Sequence, residues 1–174
     1  MEIRRARLDD GPGIALVHVR SWQTTYQGII PQAYLDGLDV EKRAAWWGNL
    51  LQQAEALRHS NWVAVDETDR VVGFANGGPP QVTEEGYTSE LYAIYLLQSA
   101  QGQGIGRQLV ERVAQDLWDA GHRTMLVGVL AENPSRLFYE RLGAKLLRAV
   151  PLERGGKALI ERYYGWADLS VLLP

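Results

Sequence analysis

The 174-residue chain contains no cysteine. Disulfide bonds, thiolate metal ligands and a cysteine nucleophile are therefore excluded, and any thiol chemistry must come from a cofactor. Histidine is also scarce. His18, His59 and His122 lie far apart and lack the short helical spacing of a zinc-binding pair, so we expect no metal site.

Long apolar runs are missing as well. No run reaches the roughly eighteen residues of a membrane-spanning helix, and the first residues lack the apolar segment of a secretory signal. The net charge of −3 leaves no excess of Lys and Arg for a nucleic-acid surface. Internal repeats and low-complexity linkers are absent too. The sequence therefore predicts one cytoplasmic domain, residues 1–174, without membrane or nucleic-acid partners.

The chain is organised around a strand that leads through a glycine-rich turn into a helix. Residues 90–97 are apolar and aromatic, as in a buried strand, and an amphipathic helical pattern begins at Ile105. The turn holds Gly102, Gly104 and Gly106, which let the main chain curl so that several N–H groups point inward. The helix N-terminus adds about half a positive charge. This turn predicts a binding site for a phosphate or pyrophosphate.

Three kinds of phosphate loop have this general form. The nucleoside-triphosphate loop is excluded because it needs a lysine, and none lies between Lys42 and Lys145. The dinucleotide fingerprint fits weakly, because its third glycine would fall at Arg107. The third pattern, Gln/Arg-x-x-Gly-x-Gly/Ala, is matched in full by residues 101–106. Through this match the chain resembles the bacterial, small-molecule-type members of the GNAT superfamily of N-acetyltransferases, which hold the coenzyme A pyrophosphate in this turn.

The hydrophobic pattern predicts seven strands and about four helices. The predicted strands are residues 2–8, 61–65, 70–75, 90–97, 124–130 and two within 144–173, split by a turn at 153–157. The predicted helices follow the caps at Asp9–Asp10 and Asp39, run from Ile105 towards Gly121, and cover 136–142. This order resembles the acyl-CoA N-acyltransferase fold, an α/β (α+β) fold with a central mixed, largely antiparallel seven-stranded sheet.

The resemblance implies that acetyl-CoA is the cosubstrate. Its pantetheine arm is expected to bond to the main chain of the central strand as an extra strand would, and its pyrophosphate to contact N–H groups of the turn. The residues implied in coenzyme binding are Ile94, Tyr95, Leu96, Gln101, Gly102, Gln103, Gly104, Ile105, Gly106, Arg107, Asn133 and Ser135. Asn133 precedes a proline and therefore also fits a helix N-cap.

Tyr139 is the expected catalytic acid. Acetyl transfer from a thioester to an amine requires a free amine, a stabilised thioester oxygen and a proton for the departing thiolate. The resemblance assigns the last role to Tyr139, which lies six residues after Asn133. The alternative is a core tyrosine packed against Leu142.

Glu90 is the expected catalytic base. A carboxylate at the start of the central strand can take the amine proton directly or through a water, and burial would raise its pKa. The alternative is a solvated charge at a strand end. The lesser candidates for base or ammonium binding are Glu132, Glu84 and Glu85.

Residues 21–31 resemble a segment that overhangs the acceptor site in many bacterial members of the superfamily. Trp22 and Tyr26, together with Glu90, are therefore predicted to bind the substrate. Aromatic residues at helical spacing also occur as ordinary core, and that alternative stays open.

The sequence thus predicts an N-acetyltransferase that acts on a primary amine of a small molecule by direct transfer in a ternary complex. Three alternatives remain open: a protein or peptide amine as acceptor, an acyl-CoA-binding sensor that has lost turnover, and a dinucleotide-dependent oxidoreductase. Many relatives pair as dimers, and the aromatic residues 163–166 are candidates either for a homodimer contact or for the core.

Overall fold

The computed structural model, which describes residues 1–173, contains seven strands and five α-helices; Pro174 lies outside the described residues. The strands are β1 (Glu2–Arg5), β2 (Ser60–Val65), β3 (Val71–Gly78), β4 (Glu90–Leu96), β5 (Met125–Leu130), β6 (Lys145–Arg154) and β7 (Lys157–Trp166). The helices are α1 (Gly11–Thr25), α2 (Gln32–Asp36), α3 (Val40–Gln52), α4 (Ile105–Asp119) and α5 (Arg136–Arg141).

The seven strands form one mixed sheet in the order β1-β2-β3-β4-β5-β7-β6. All neighbouring pairs are antiparallel except β4 and β5, which run parallel. This parallel pair is short: its partners are Glu90 with Leu126 and Leu91 with Val127, after which the two strands diverge. The predicted fold class and strand count are confirmed.

Helices cover both faces of the sheet. On one face α4 buries Ile105, Leu109, Val113 and Leu117, the stripe that the sequence predicts for this helix. On the other face α1 and α3 pack residues such as Trp47 against the strands. These three helices therefore present their apolar sides to the sheet, and the parallel pair lies between two covering layers.

Two local predictions at the N-terminal end are wrong. The first strand ends at Arg5 because Leu8–Asp10 form a 3₁₀ turn. Asp10 stands at the N-cap of α1, but its carboxylate does not cap the helix; it accepts hydrogen bonds from Arg4 at 2.7 and 3.0 Å and from the Arg7 main chain. Asp39 does cap α3, accepting from the Lys42 N–H at 3.0 Å.

The aromatic residues near the C-terminus belong to the core. Tyr164 and Trp166 are each 1% exposed and join the cluster beneath α4. The Tyr164 hydroxyl donates to Glu140, and Trp166 Nε1 donates to the Leu142 carbonyl at 2.9 Å. These rings are used within one chain, so homodimer formation stays a prediction that rests on the resemblance alone.

Across residues 1–173, no helix is both long and apolar enough to cross a membrane. The same part of the chain holds no group of three or more His, Asp or Glu side chains arranged to bind a metal ion.

Candidate active site

A cavity of about 450 Å³ opens where β4 and β5 diverge. Its walls come from both faces of the sheet: Ile94 and Leu96 pack with the core beneath α4, whereas Tyr26 and Tyr95 pack on the α1–α2 side. The cavity therefore passes through the sheet. The predicted site residues that line it are Tyr26, Ile94, Tyr95, Leu96, Gln101, Gly102, Gly104, Gly106, Arg107, Asn133, Ser135 and Tyr139.

The glycine-rich turn forms one end of this cavity. Gly102 and Gly104 have φ values of +74° and +77°, a region that glycine adopts without the steric cost of a Cβ. Gly104 is the N-cap of the 15-residue helix α4, and no side chain in residues 1–173 caps that end. The first N–H groups of α4 and its dipole are thus available to an anion beside Gly104 and Arg107.

The main chain of β4 forms the middle of the cavity. Beyond the Leu91–Val127 pair, no β5 residue in the described chain pairs with β4, although β3 stays bonded along its other edge. The Leu96 carbonyl accepts from Gln101 Nε2 at 3.1 Å and from Ser21 Oγ at 3.3 Å. An extended amide-bearing chain has room to bond to β4 here, as an added strand would.

Tyr139 lies on α5 with its ring in the wall of the cavity. The ring is 6% exposed and meets Trp166 edge to face, with 6.2 Å between centroids. Burial, and secondarily the charge of Tyr26, raises the pKa of the Tyr139 phenol. The phenol therefore keeps its proton at neutral pH and can donate it to a base formed inside the cavity.

Asn133 is 3% exposed and lines the cavity beside the start of α5. Its Oδ1 accepts a hydrogen bond from the Ser135 N–H at 2.9 Å, which closes a turn before the helix. Ser135, not Asn133, holds the N-cap position, so the predicted cap is displaced by two residues.

Two tyrosine hydroxyls meet on the α1–α2 side of the sheet. The Tyr26 and Tyr95 hydroxyls lie 3.1 Å apart, and burial raises the pKa of both phenols. Trp22 packs edge to face behind Tyr26 with 4.9 Å between centroids. Trp22 therefore supports Tyr26 and lies outside the cavity wall, as do Gln103 and the buried Ile105.

Glu90 begins β4 on the α1–α2 side and is 7% exposed. One carboxylate oxygen accepts from the Gln81 N–H at 2.6 Å. Burial raises the pKa of Glu90. Hydrogen bonds from the loop main chain oppose this rise, and the negative charge of Glu161 adds to it. Glu90 lies beside the cavity rather than in its wall. Among the lesser candidates, Glu84 pairs with Arg148, and Glu85 and Glu132 are exposed.

Glu161 lies beside the cavity, next to one of its lining residues, and no local sequence pattern points to it. It lies on β7, and the Tyr163 hydroxyl donates to its Oε2 at 3.0 Å. Its other oxygen lies over Gly128 of β5, which lines the cavity. Gly128 is the one signal in the sequence that could have indicated this contact, because a lone glycine inside a strand often marks a place where another group approaches the main chain closely. The lining residues that the sequence does not point to are Ser21, Thr25, Tyr92, Ala93, Val127, Gly128, Val129, Phe138 and Arg141.

A parallel strand pair that diverges beside a glycine-rich turn at a helix N-terminus leaves a cleft of the kind expected in an acyl-CoA-dependent acyltransferase. A family model described as "Acetyltransferase (GNAT) family" matches residues 19–144. The chain belongs to the GNAT family of acetyltransferases, as the sequence predicts, and it is an acetyl-CoA-dependent N-acyltransferase. This membership replaces the oxidoreductase alternative.

Named relatives span almost the whole chain. The uncharacterized N-acetyltransferase YuaI of Bacillus subtilis (strain 168) is 41% identical over 170 residues, covering 98% of this chain and 95% of YuaI. The L-amino acid N-acyltransferase MnaT of Escherichia coli (strain K12) is 25% identical over 173 residues, covering 99% and 92%. Among solved structures, YncA of Salmonella typhimurium, solved with its cofactor acetyl-CoA, has the same fold with a TM-score of 0.73 at 23% identity, covering 97% of this chain and 94% of that chain.

Proposed function

We propose that this chain transfers the acetyl group of acetyl-CoA to the primary amine of a small molecule, by direct attack in a ternary complex. The observation that carries the proposal is the cavity that passes through the sheet between β4 and β5. A coenzyme entering from the α4 side and an acceptor entering from the α1–α2 side meet at this opening. The absence of cysteine excludes transfer through an acetyl-cysteine.

The coenzyme end is assigned to the glycine-rich turn and to β4. N–H groups from Gln101 to Arg107 bind the pyrophosphate, and the main chain of residues 94–96 bonds to the pantetheine arm. Asn133 and Ser135 hold the start of α5 beside the thioester. Bonding to the arm requires Gln101 Nε2 to release the Leu96 carbonyl, because both occupy the same edge of β4.

At the reaction centre Tyr139 protonates the departing thiolate. Burial makes the phenol a weaker acid, but the same desolvation makes the thiolate a stronger base, so the two effects offset one another. On the acceptor side Tyr26 contacts the substrate with Trp22 behind it. The acidic groups on this face, Glu90 among them, favour a cationic amine, and one carboxylate on this face takes its proton.

A small acceptor is favoured over a protein amine by a relative's name. MnaT, which aligns with nearly all of this chain, is named as an L-amino acid N-acyltransferase. Arg154 also stands at the acceptor end, with its guanidinium 5.9 Å from the ring of Trp22. An amine that also carries an anionic group is therefore the first acceptor to test.

The test is single-turnover release of free thiol from acetyl-CoA with a panel of amines. The panel contains L-amino acids, polyamines, aminoglycosides and peptides with a free N-terminus or lysine. Thiol release with one of the small molecules, and N-acetylated product by mass spectrometry, is the expected result. Release with peptides alone would move the acceptor class to proteins. No thiol release with any amine of the panel, while acetyl-CoA still binds, would favour the sensor alternative.

A further inference from the structure

We propose that Glu161 is the carboxylate that binds the ammonium group of the acceptor and takes its proton. The inference rests on the proposed function, because it assigns a further residue to the same site. It is carried by the position of Glu161 over Gly128 and by the charges around it.

The position of Glu161 depends on a missing side chain. A Cβ at Gly128 would lie 2.8 Å from Glu161 Oε1, a distance that Cβ atoms essentially never show, and 3.1 Å from Tyr163 Cε1, which is tighter than most Cβ contacts. Glycine at 128 therefore lets one carboxylate oxygen approach the main chain of β5 closely, next to the gap through which the cavity passes. The Tyr163 hydroxyl holds the other oxygen at 3.0 Å and fixes the orientation.

Glu161 has no cationic partner within residues 1–173. The nearby Arg148 is taken by Glu84, and its guanidinium lies over the ring of Tyr163 at 4.6 Å. The negative charge of Glu161 instead helps to raise the pKa values of Glu90, Tyr26 and Tyr163. Burial and this charge together raise the pKa of Tyr163 to about 12. A half-buried carboxylate without a counter-ion beside the cavity favours a cation there.

Glu90 fits the direct role less well than Glu161. Its carboxylate is bonded to the Gln81 main chain, and it stands at the end of β4 where the parallel pair is still closed. The gap widens towards Gly128, which Glu161 overlies. Glu90 then acts at a distance, since its charge adds to the negative potential that attracts the ammonium.

The proton balance is as follows. The acceptor R–NH₃⁺ gives one proton to the Glu161 carboxylate, and the free amine attacks the thioester carbon to form the C–N bond. The C–S bond then breaks, the thiolate takes the proton of Tyr139, and the nitrogen loses its second proton, which restores Tyr139. Glu161 releases its proton to solvent. The sum is R–NH₃⁺ plus acetyl-CoA giving the N-acetyl amide, coenzyme A and one proton.

The test compares Glu161→Gln with wild type, using the best acceptor of the amine panel. We expect kcat/KM for the amine to fall by about 100-fold or more, with KM for acetyl-CoA unchanged. In Glu161→Ala, added formate should restore part of the turnover by supplying a carboxylate, which a merely structural role would not allow. Glu153→Gln, an exposed change in the same hairpin, is the matched control and should behave as wild type.

A double-mutant cycle with Gly128→Ala tests the contact itself. If the methyl group acts by displacing Glu161, the loss in Gly128→Ala should nearly vanish in the Glu161→Gln background. Amine kcat/KM within about threefold of wild type in Glu161→Gln, additive effects in the cycle, or no formate rescue would each overturn the assignment. A wild-type enzyme that acetylates no amine would instead overturn the proposed function, and this inference with it.

Discussion

The imidazole of His18 stacks on the ring of Tyr95, with 5.2 Å between centroids and 22° between planes. Its Nδ1 accepts a hydrogen bond from Trp47 Nε1 at 3.2 Å. One neutral side chain thus joins α1, α3 and the central strand directly behind the cavity. Burial, aided by the charge of Arg43, lowers the pKa of His18 to about 3.

This pairing predicts a loss of stability in mild acid. The unfolded chain binds a proton at His18 below its ordinary pKa of 6.5, whereas the folded chain does not until about pH 3. The free energy of unfolding should therefore fall as the pH drops from about 6.5, by at most about 1.4 kcal/mol per pH unit from this group. Urea unfolding at a series of pH values measures the slope.

The matched variants are His18→Gln and His122→Gln. His122 is partly exposed, and burial lowers its pKa less than it lowers that of His18. Removing His122 should therefore change the slope little. His18→Gln should flatten the slope and can still accept from Trp47. An unchanged slope in His18→Gln would show that His18 is not the group responsible.

The glycine-rich turn predicts a loss of coenzyme binding in Gly104→Leu. A leucine there must adopt a φ near +77°, which costs about 1–2 kcal/mol, and the N–H groups beside it would be re-aimed. Gly121→Leu is the control, because its φ is +95° and it too has open space around the missing Cβ. Calorimetry should find acetyl-CoA affinity reduced at least about tenfold in Gly104→Leu only. Equal affinities would contradict the assignment of the turn.

Regular periodicity made the fold predictable from sequence. The stripe from Ile105 to Leu117 and the β-branched hairpin runs are local patterns that the structure keeps. Helix α2 was missed because its five residues, anchored by the fully buried Leu35, are too few to show a helical period. Asp10 was wrongly predicted to cap α1 because its carboxylate binds Arg4 instead. The folded structure brings Arg4 close to Asp10, and no local pattern indicates this.

The coenzyme side of the site was likewise easier to predict than the acceptor side. A phosphate-binding turn is contiguous, so residues 101–107 carry their own signal. Glu161 and Gly128 lie on strands that are far apart in sequence and become neighbours only when the sheet forms. Glu90 contacts Gln81 because the loop before β4 folds back onto it. Contacts of this kind depend on register and loop path, which no local pattern specifies.

The hydroxyl pair of Tyr26 and Tyr95 predicts separate roles for the two rings. Tyr26→Phe should raise KM for the amine by up to about tenfold, because one hydrogen bond at the acceptor end is lost. Tyr95→Phe should leave acetyl-CoA affinity unchanged, since the coenzyme is expected to bond to the Tyr95 main chain. Steady-state kinetics and calorimetry on both variants check this. Weakened coenzyme binding in Tyr95→Phe would assign that function to the side chain.

Tyr139→Phe should lower turnover without weakening coenzyme binding. The hydroxyl has no hydrogen-bond partner among residues 1–173, and the ring contacts with Phe138 and Trp166 survive the change. Its removal deprives the thiolate of its acid, a loss of about 100-fold or more in kcat, while the unfolding temperature stays close to wild type. Tyr164→Phe is the opposite case: the ring of Tyr164 is buried but its hydroxyl donates to the exposed Glu140, so stability should fall by about 1 kcal/mol and turnover persist. Stopped-flow thiol release on both variants separates the two roles, and wild-type turnover in Tyr139→Phe would remove Tyr139 from the mechanism.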